Sequence, residues 1–224
     1  ESTFEDFFND VRIDILMERS LVYFSDLKYF VPVADGISES LWLSGKVMGT
    51  VAELRGRDVE VAWRDHTTLD CDFDFSGLPE IENSFIYFGI NRLQSNAEDL
   101  RHINIPGQGE LVLPELADKL ATFTFSGSFT GFTTDFVAYG RLRTPAGSIK
   151  TDVSMRPENR NSFRINGLVT GTGIDLGYLT GNTGLLGNLS MSANVDGMAE
   201  SFKKFSGSLS GMIDSLELNG YKYR

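Results

Sequence analysis

The sequence predicts an all-β fold: a long, curved antiparallel sheet, trough-like (a β-taco) and repeat-like, with a few short helices. Three observations carry this. Apolar and polar residues alternate at a period of two along most of the 224 residues, which is the pattern of strands with one face in water. Glycine recurs inside these runs in one repeated unit: apolar, any residue, Gly, apolar, then an apolar side chain five residues after the Gly. Helix signals are few and short.

Taken in order, segment 4–8 reads as a turn of acidic amphipathic helix, and Asp26 as a cap for Leu27-Lys28-Tyr29-Phe30, with Pro32 just beyond. Leu41, Leu43, Gly45 and Val47 then alternate with Trp42, Ser44, Lys46 and Met48. Val59, Val61 and Trp63 alternate with Glu60 and Ala62, and Leu69, Cys71, Phe73 and Phe75 with Asp70, Asp72, Asp74 and Ser76. Residues 96–109 are polar and contain Pro106, Gly107 and Gly109, so they read as a long connection. Pro114 to Leu120 opens on Pro followed by Glu115 and suits a short helix. Phe123, Phe125, Gly127 and Phe129 alternate with Thr124, Ser126, Ser128 and Thr130; Ile149, Thr151, Val153 and Met155 with Lys150, Asp152, Ser154 and Arg156. Phe163, Ile165, Gly167 and Val169 follow, then a loop at 180–184, then Leu189, Met191, Ala193 and Val195, and last Phe205, Gly207, Leu209 and Gly211.

The repeated unit occurs at Val47-Met48-Gly49 leading to Leu54, Phe129-Thr130-Gly131-Phe132 leading to Phe136, Val195-Asp196-Gly197-Met198 leading to Phe202, and Leu209-Ser210-Gly211-Met212 leading to Leu216. Phe75-Ser76-Gly77-Leu78 leads to Ile81 one residue early. Glycine in a strand marks a bend, a bulge or a close backbone approach, so Gly49, Gly77, Gly131, Gly197 and Gly211 are expected to set the bends. No charge-rich linker or change in composition divides the chain, and residues 1–224 read as one elongated unit.

Composition narrows the partners. Thirty-one acidic against 20 basic side chains give a net charge of −11, which opposes nucleic-acid binding and docking on anionic lipid headgroups. Phe outnumbers Tyr 17 to 7, favouring dry apolar surface because Phe has no polar tip to satisfy. The single Cys71 excludes an intrachain disulfide and a cysteine metal cluster. No run of about 18 apolar residues is present to form a spanning helix. The chain reads as a piece of a longer protein whose targeting segments lie elsewhere.

Bond chemistry has no evident seat, and the expectation is a non-enzymatic protein without metal or cofactor. His66 falls in a turn, Arg64-Asp65-His66-Thr67, and His102 in the polar connection. No Ser stands in a Gly-x-Ser-x-Gly elbow. Cys71 lies on the apolar face of its strand, the place of a buried, inert thiol. Asp70, Asp72 and Asp74 share one strand face, but a calcium loop needs a turning Gly and a distant Glu, so they read as a solvated outer face. Gly171-Thr172-Gly173 lacks the spacing and the βαβ setting of a dinucleotide fingerprint.

The apolar face itself remains, and two readings of it stay open. It packs against a second sheet as an ordinary core, or it lines a trough. At roughly 25 cal/mol per Å², leaving about 800 Å² uncovered forgoes about 20 kcal/mol, more than the ~5–15 kcal/mol stability of a domain. An open trough must therefore be narrowed by curvature, plugged by the short helices, paired with another copy or filled with lipid.

Four stretches resemble the AsmA-like/TamB family of Gram-negative cell-envelope proteins. Ser25 to Pro32 resembles the short turn that precedes a strand pair in that family. Leu43 to Thr50 followed by Leu54 to Val59 resembles its apolar-x-Gly-x-apolar-x-Gly hairpin. Gly131 to Gly140 and Gly211 to Tyr221 repeat the theme. The resemblance implies a fragment of a periplasmic, apolar-lined β-trough whose parent protein is anchored in the inner membrane outside this segment. It implies passage of phospholipid or other acyl chains towards the outer membrane. Lining residues would be Leu43, Val47, Val61, Trp63, Phe73, Phe75, Phe123, Phe125, Phe129, Val153, Phe163, Ile165, Val169, Met191 and Leu209. The alternative is an assembly factor for outer-membrane proteins that pairs client β-strands at its edges, with an outer-membrane assembly protein as partner. A barrel fragment fits less well, because aromatics fall mid-strand rather than in girdles. A sealed lipocalin-like pocket would hold one small ligand.

Overall fold

A computed structural model describes residues 9–23, 40–102, 104–105, 109–110, 113, 115–159, 162–201 and 204–224. The helical turns expected at 4–8 and 26–30, the Ser25–Pro32 stretch, Pro114 and Phe202 lie outside the described residues.

The strands are β1 (Ile13–Tyr23), β2 (Ser40–Gly49), β3 (Glu53–Trp63), β4 (Thr67–Ser76), β5 (Phe85–Asn96), β6 (Asn104–Ile105), β7 (Gly109–Glu110), β8 (Thr122–Phe132), β9 (Asp135–Thr144), β10 (Gly147–Asn159), β11 (Ser162–Asp175), β12 (Leu186–Ser201), β13 (Lys204–Leu218) and β14 (Tyr221–Tyr223). Twelve of them form one open, curved antiparallel sheet in the order β1-β2-β3-β4-β5-β8-β9-β10-β11-β12-β13-β14, while β6 and β7 pair only with each other. Every neighbour in the large sheet follows its predecessor in sequence except β8 after β5. That is a meander, which short connections enforce.

Register, more than propensity, organises this sheet. Cross-strand pairs line up into transverse apolar rows that share one face. One row runs Leu43, Val61, Leu69, Leu93, Phe125, Leu142, Ile149, Gly171, Met191, Ile213. The next runs Val59, Cys71, Ile90, Gly127, Gly140, Thr151, Val169, Ala193, Gly211. A third runs Ile15, Val47, Gly56, Phe73, Phe88, Phe129, Ala138, Val153, Gly167, Val195, Leu209. The opposite face carries Asp70, Asp72, Asp74, Ser126, Arg141, Lys150, Asn166 and Ser192.

Two features accompany the curvature of the sheet. The second row is thin at its middle, where the paired glycines Gly127 and Gly140 face each other across β8 and β9 without Cβ atoms. Irregularities in the ladder also fall on alternate strands near one height, between Met17 and Ser20 on β1, Gly56 and Val59 on β3, and Ile90 and Leu93 on β5. Each inserts a residue, bends the strand and raises its twist. On β3 the extra residue, Asp58, takes a positive φ of 50°, and its N–H donates to the Asp72 carboxylate at 2.9 Å. Arg57 straps the same spot, donating to Gly56 O at 2.7 Å, Phe73 O at 2.9 Å and both Asp74 oxygens.

The bends are only partly where the sequence placed them. Gly49 ends β2 and Gly131 stands one residue before the end of β8, at φ +117° and +134°, and a Cβ on either would run into the backbone of the returning strand. Gly77 also takes positive φ at the end of β4. Gly197 and Gly211, by contrast, lie in the interior of β12 and β13, in register with Ile165 and Ala193. The ladder runs straight through them, and Gly211 serves close backbone approach, its absent Cβ facing Ser192 and Ala193.

The 96–109 connection also departs from expectation. It holds helix α1 (Ala97–Arg101), capped by Asn96, whose side chain accepts from Asp99 N–H at 2.8 Å. Helix α2 (Leu176–Thr180) precedes the expected loop and is capped by Asp175. Residues 115–120 form the expected short helix as a 3-10 turn. These pieces gather at one end of the sheet. Arg101 pairs with Asp118 at 2.6 Å, and Lys119 Nζ donates to Leu179 O at 2.6 Å, so the 115–120 turn beside β8 is tied to the helix that follows β11.

Candidate functional site

The structure places all fifteen residues expected to line the trough on one face of the sheet. Leu43, Val61, Phe125 and Met191 stand in the first row; Val169 in the second; Val47, Phe73, Phe129, Val153 and Leu209 in the third. Phe75 and Ile165 occupy the following row, and Phe163 pairs with Ala199 beyond it. Trp63 and Phe123 sit at the helix-bearing end, where both are buried and present no surface to a guest.

Aromatic rings pave the middle of this face. Phe73 stacks on Phe75 with centroids 4.7 Å apart, Phe75 lies 6.4 Å from Phe88, and Phe129 lies 4.7 Å from Phe136. The rings lie down over glycine rather than standing up. A Cβ on Gly140 would come 2.7 Å from the Phe125 ring, and one on Gly56 would overlap Phe73. Glycine thus gives the apolar face a low floor, and phenylalanine covers the backbone that glycine exposes.

No second layer seals this face among the described residues. Phe73, Phe75, Phe88, Phe125, Phe129, Val153 and Ile165 are each half-buried. The largest side chains with under 2% exposure are two serines, Ser84 and Ser95, where a closed core would contain large apolar ones.

The two edges are open as well. Among the described residues β13 is paired on its outer side only at Leu216–Leu218, and Leu209 and Met212 are 66% and 73% exposed. At the other margin, β1 exposes Ile15, Leu16 and Leu21.

The helix-bearing end is closed by a polar clasp that no motif announces. Asp99 on α1 is 3% exposed. One of its carboxylate oxygens accepts from Thr67 Oγ1 at 2.7 Å and from His66 N–H at 3.2 Å, and the other lies 3.4 Å from Arg64 Nε. Thr67 Oγ1 is also 2.7 Å from Ser95 Oγ. Because the Thr67 proton goes to the carboxylate, Ser95 is the donor of that pair.

The remaining candidates sit as follows. His66 and His102 are exposed. Cys71 is buried in the second row, and its thiol is pushed up to about 11 by desolvation first, then by the charges of Asp72 and Asp70. Those carboxylates, on the outer face, are engaged by Asn91 and by the Asp58 N–H, and Asp74 by Arg57 and Arg55.

The geometry defines a class: a single, open, curved antiparallel sheet with apolar rows along one face. Comparison of the chain with protein-family models, with curated proteins and with solved structures found no match.

Proposed function

We propose that the trough takes up hydrocarbon chains, those of phospholipids above all, and lets them pass along its apolar wall without bond chemistry. The observation that supports this is the run of half-buried phenylalanine and aliphatic side chains in continuous rows across the sheet, uncovered by a second layer among the described residues. Exposed apolar area of this extent is costly in water and gains by contact with an acyl chain. The resemblance described above adds the setting: a periplasmic segment of a protein anchored in the inner membrane, moving lipid towards the outer membrane.

A second reading has its own observation. The free, uncharged stretch of β13 from Phe205 to Ile213 presents unpaired backbone along an edge, the arrangement used in strand addition, and suits pairing with client β-strands during outer-membrane protein assembly.

Lipid extraction and mass spectrometry of the purified protein, with titration of a fluorescent phospholipid, separate the two. The lipid reading expects bound phospholipid and saturable uptake of the probe. Phe125→Asp, which puts a carboxylate on the wall, should weaken uptake by at least about tenfold, since desolvating that charge costs several kcal/mol. Leu168→Asp, on the exposed outer face, should leave it unchanged. Normal uptake by a folded Phe125→Asp variant would refute it; crosslinking of an extended peptide to β13 with no bound lipid would favour the second reading.

A further inference from the structure

The outer face carries a group of cations that neither reading uses. The chain has a net charge of −11, yet Arg92, Arg141, Arg143 and Lys150 meet on β5, β9 and β10. Register brings them together: Arg141 is directly opposite Lys150 on β10 and Ser126 on β8, and Arg143 is opposite Thr124. Arg92 lies at the β5 irregularity, one strand beyond Ser126.

Like charges at directly opposite positions, as Arg141 and Lys150 are, destabilise a sheet. Among the described residues none of the four cations has an ion pair within 4 Å, whereas Lys46, Arg55, Arg57, Arg64, Arg101 and Arg164 each have one. Arg92 donates only to Gln94 Oε1, at 3.0 Å. The nearest acid in register, Asp70, is opposite Arg92 and takes a hydrogen bond from Asn91 at 3.0 Å. A concavity of about 320 Å³ opens beside Arg92, Arg141 and Arg143, with Thr124, Phe125 and Ser126 of β8 and Asn91 completing its lining, and Lys150 just outside it. Arg141 Nε is buried there and has no hydrogen-bond partner among the described residues, an N–H left without an acceptor.

We propose that this concavity binds a single phosphate-type oxyanion. Two arginine forks supply the planar donor pairs that phosphate oxygens accept, and Ser126 and Thr124 add hydroxyl donors. A bound anion would relieve the Arg141–Lys150 repulsion and give Arg141 Nε its acceptor. The flanking carboxylates Asp70 and Asp152 and the acidic chain as a whole limit the ligand to a compact anion, against a nucleic acid or a membrane surface. The site faces away from the apolar wall, so it is independent of hydrocarbon uptake.

The test is calorimetric titration of the whole chain with inorganic phosphate and, separately, with glycerophosphoethanolamine, at an ionic strength held constant with chloride. Saturable binding of either is expected: of the diester if a lipid headgroup is the source, of phosphate alone if a free anion is. Arg141→Gln and Arg143→Gln should each weaken it about tenfold, which is about 1.4 kcal/mol, and Arg164→Gln, in a paired cation elsewhere on the outer face, should not. Phosphate should raise the melting temperature of the unaltered protein and not that of Arg141→Gln. If Arg141→Gln does not fold, Arg143→Gln carries the same comparison. Absence of saturable binding for both probes, or equal binding by the folded variants, overturns the proposal.

Discussion

Replacing Asp99 by Ala should unhinge the helix-bearing end of the sheet. The carboxylate is buried and accepts from two donors, the Thr67 hydroxyl and the His66 N–H, beside the Arg64 guanidinium. Deletion leaves the buried Thr67 hydroxyl and the part-buried His66 N–H without their acceptor, each costing about 1–3 kcal/mol, and takes a carboxylate away from the Arg64 guanidinium. The sum falls at about 3–5 kcal/mol, the range for breaking a buried charged network from one side. For a chain of this length that is a fall in melting temperature on the order of 10 °C. Asp99→Asn keeps one oxygen for Thr67 and should cost less than half as much; Arg64→Ala, nearer the surface, should cost least. Urea unfolding followed by circular dichroism gives the three values, and hydrogen exchange at His66 and Thr67 reports whether the loss is local. A cost below about 1 kcal/mol for Asp99→Ala, or Arg64→Ala as the most damaging of the three, would refute the reasoning that buried hydrogen bonds to the carboxylate hold this end.

Two further outcomes follow from the apolar wall. Gly56→Val should lift the Phe73 ring from the floor and break its stacking on Phe75, destabilising the protein by about 1–3 kcal/mol as overpacking does, and reducing uptake of a fluorescent phospholipid; unchanged stability in urea would contradict it. Cys71 should resist alkylating reagents at neutral pH until the protein is unfolded. Its folded value of about 11 stands above that of a solvated thiol, so between the two the unfolded chain releases a proton that the native one keeps. Stability should therefore fall as pH rises through that window, and Cys71→Ala should flatten the fall in a series of melts.

The two faces of the sheet were legible residue by residue, because a side-chain period of two survives any curvature. Phe73 and Phe75, Phe125 and Phe129, and Phe163 and Ile165 all stand on the face their spacing assigns. The helices α1 and α2 were not legible. Five residues cannot nucleate a helix alone, and only their caps, Asn96 and Asp175, leave a local trace beside contacts made by distant chain. Gly197 and Gly211 share their spacing with the turn glycines Gly49 and Gly131, and nothing local distinguishes a hairpin from a strand that simply continues.

The alternation of apolar with small or charged residues, and the glycines set among the apolar ones, determined by themselves that this chain makes a one-sided antiparallel sheet. Only the tertiary structure decided which residues meet across it. Each inserted residue on β1, β3 and β5 resets the pairing, and pairing is a relation between strands that the chain does not write locally. That is why the wall of rows, the Asp99 clasp and the company of Arg92, Arg141 and Lys150 emerge from the register of the sheet, while the oily and wet faces are visible in the order of the residues.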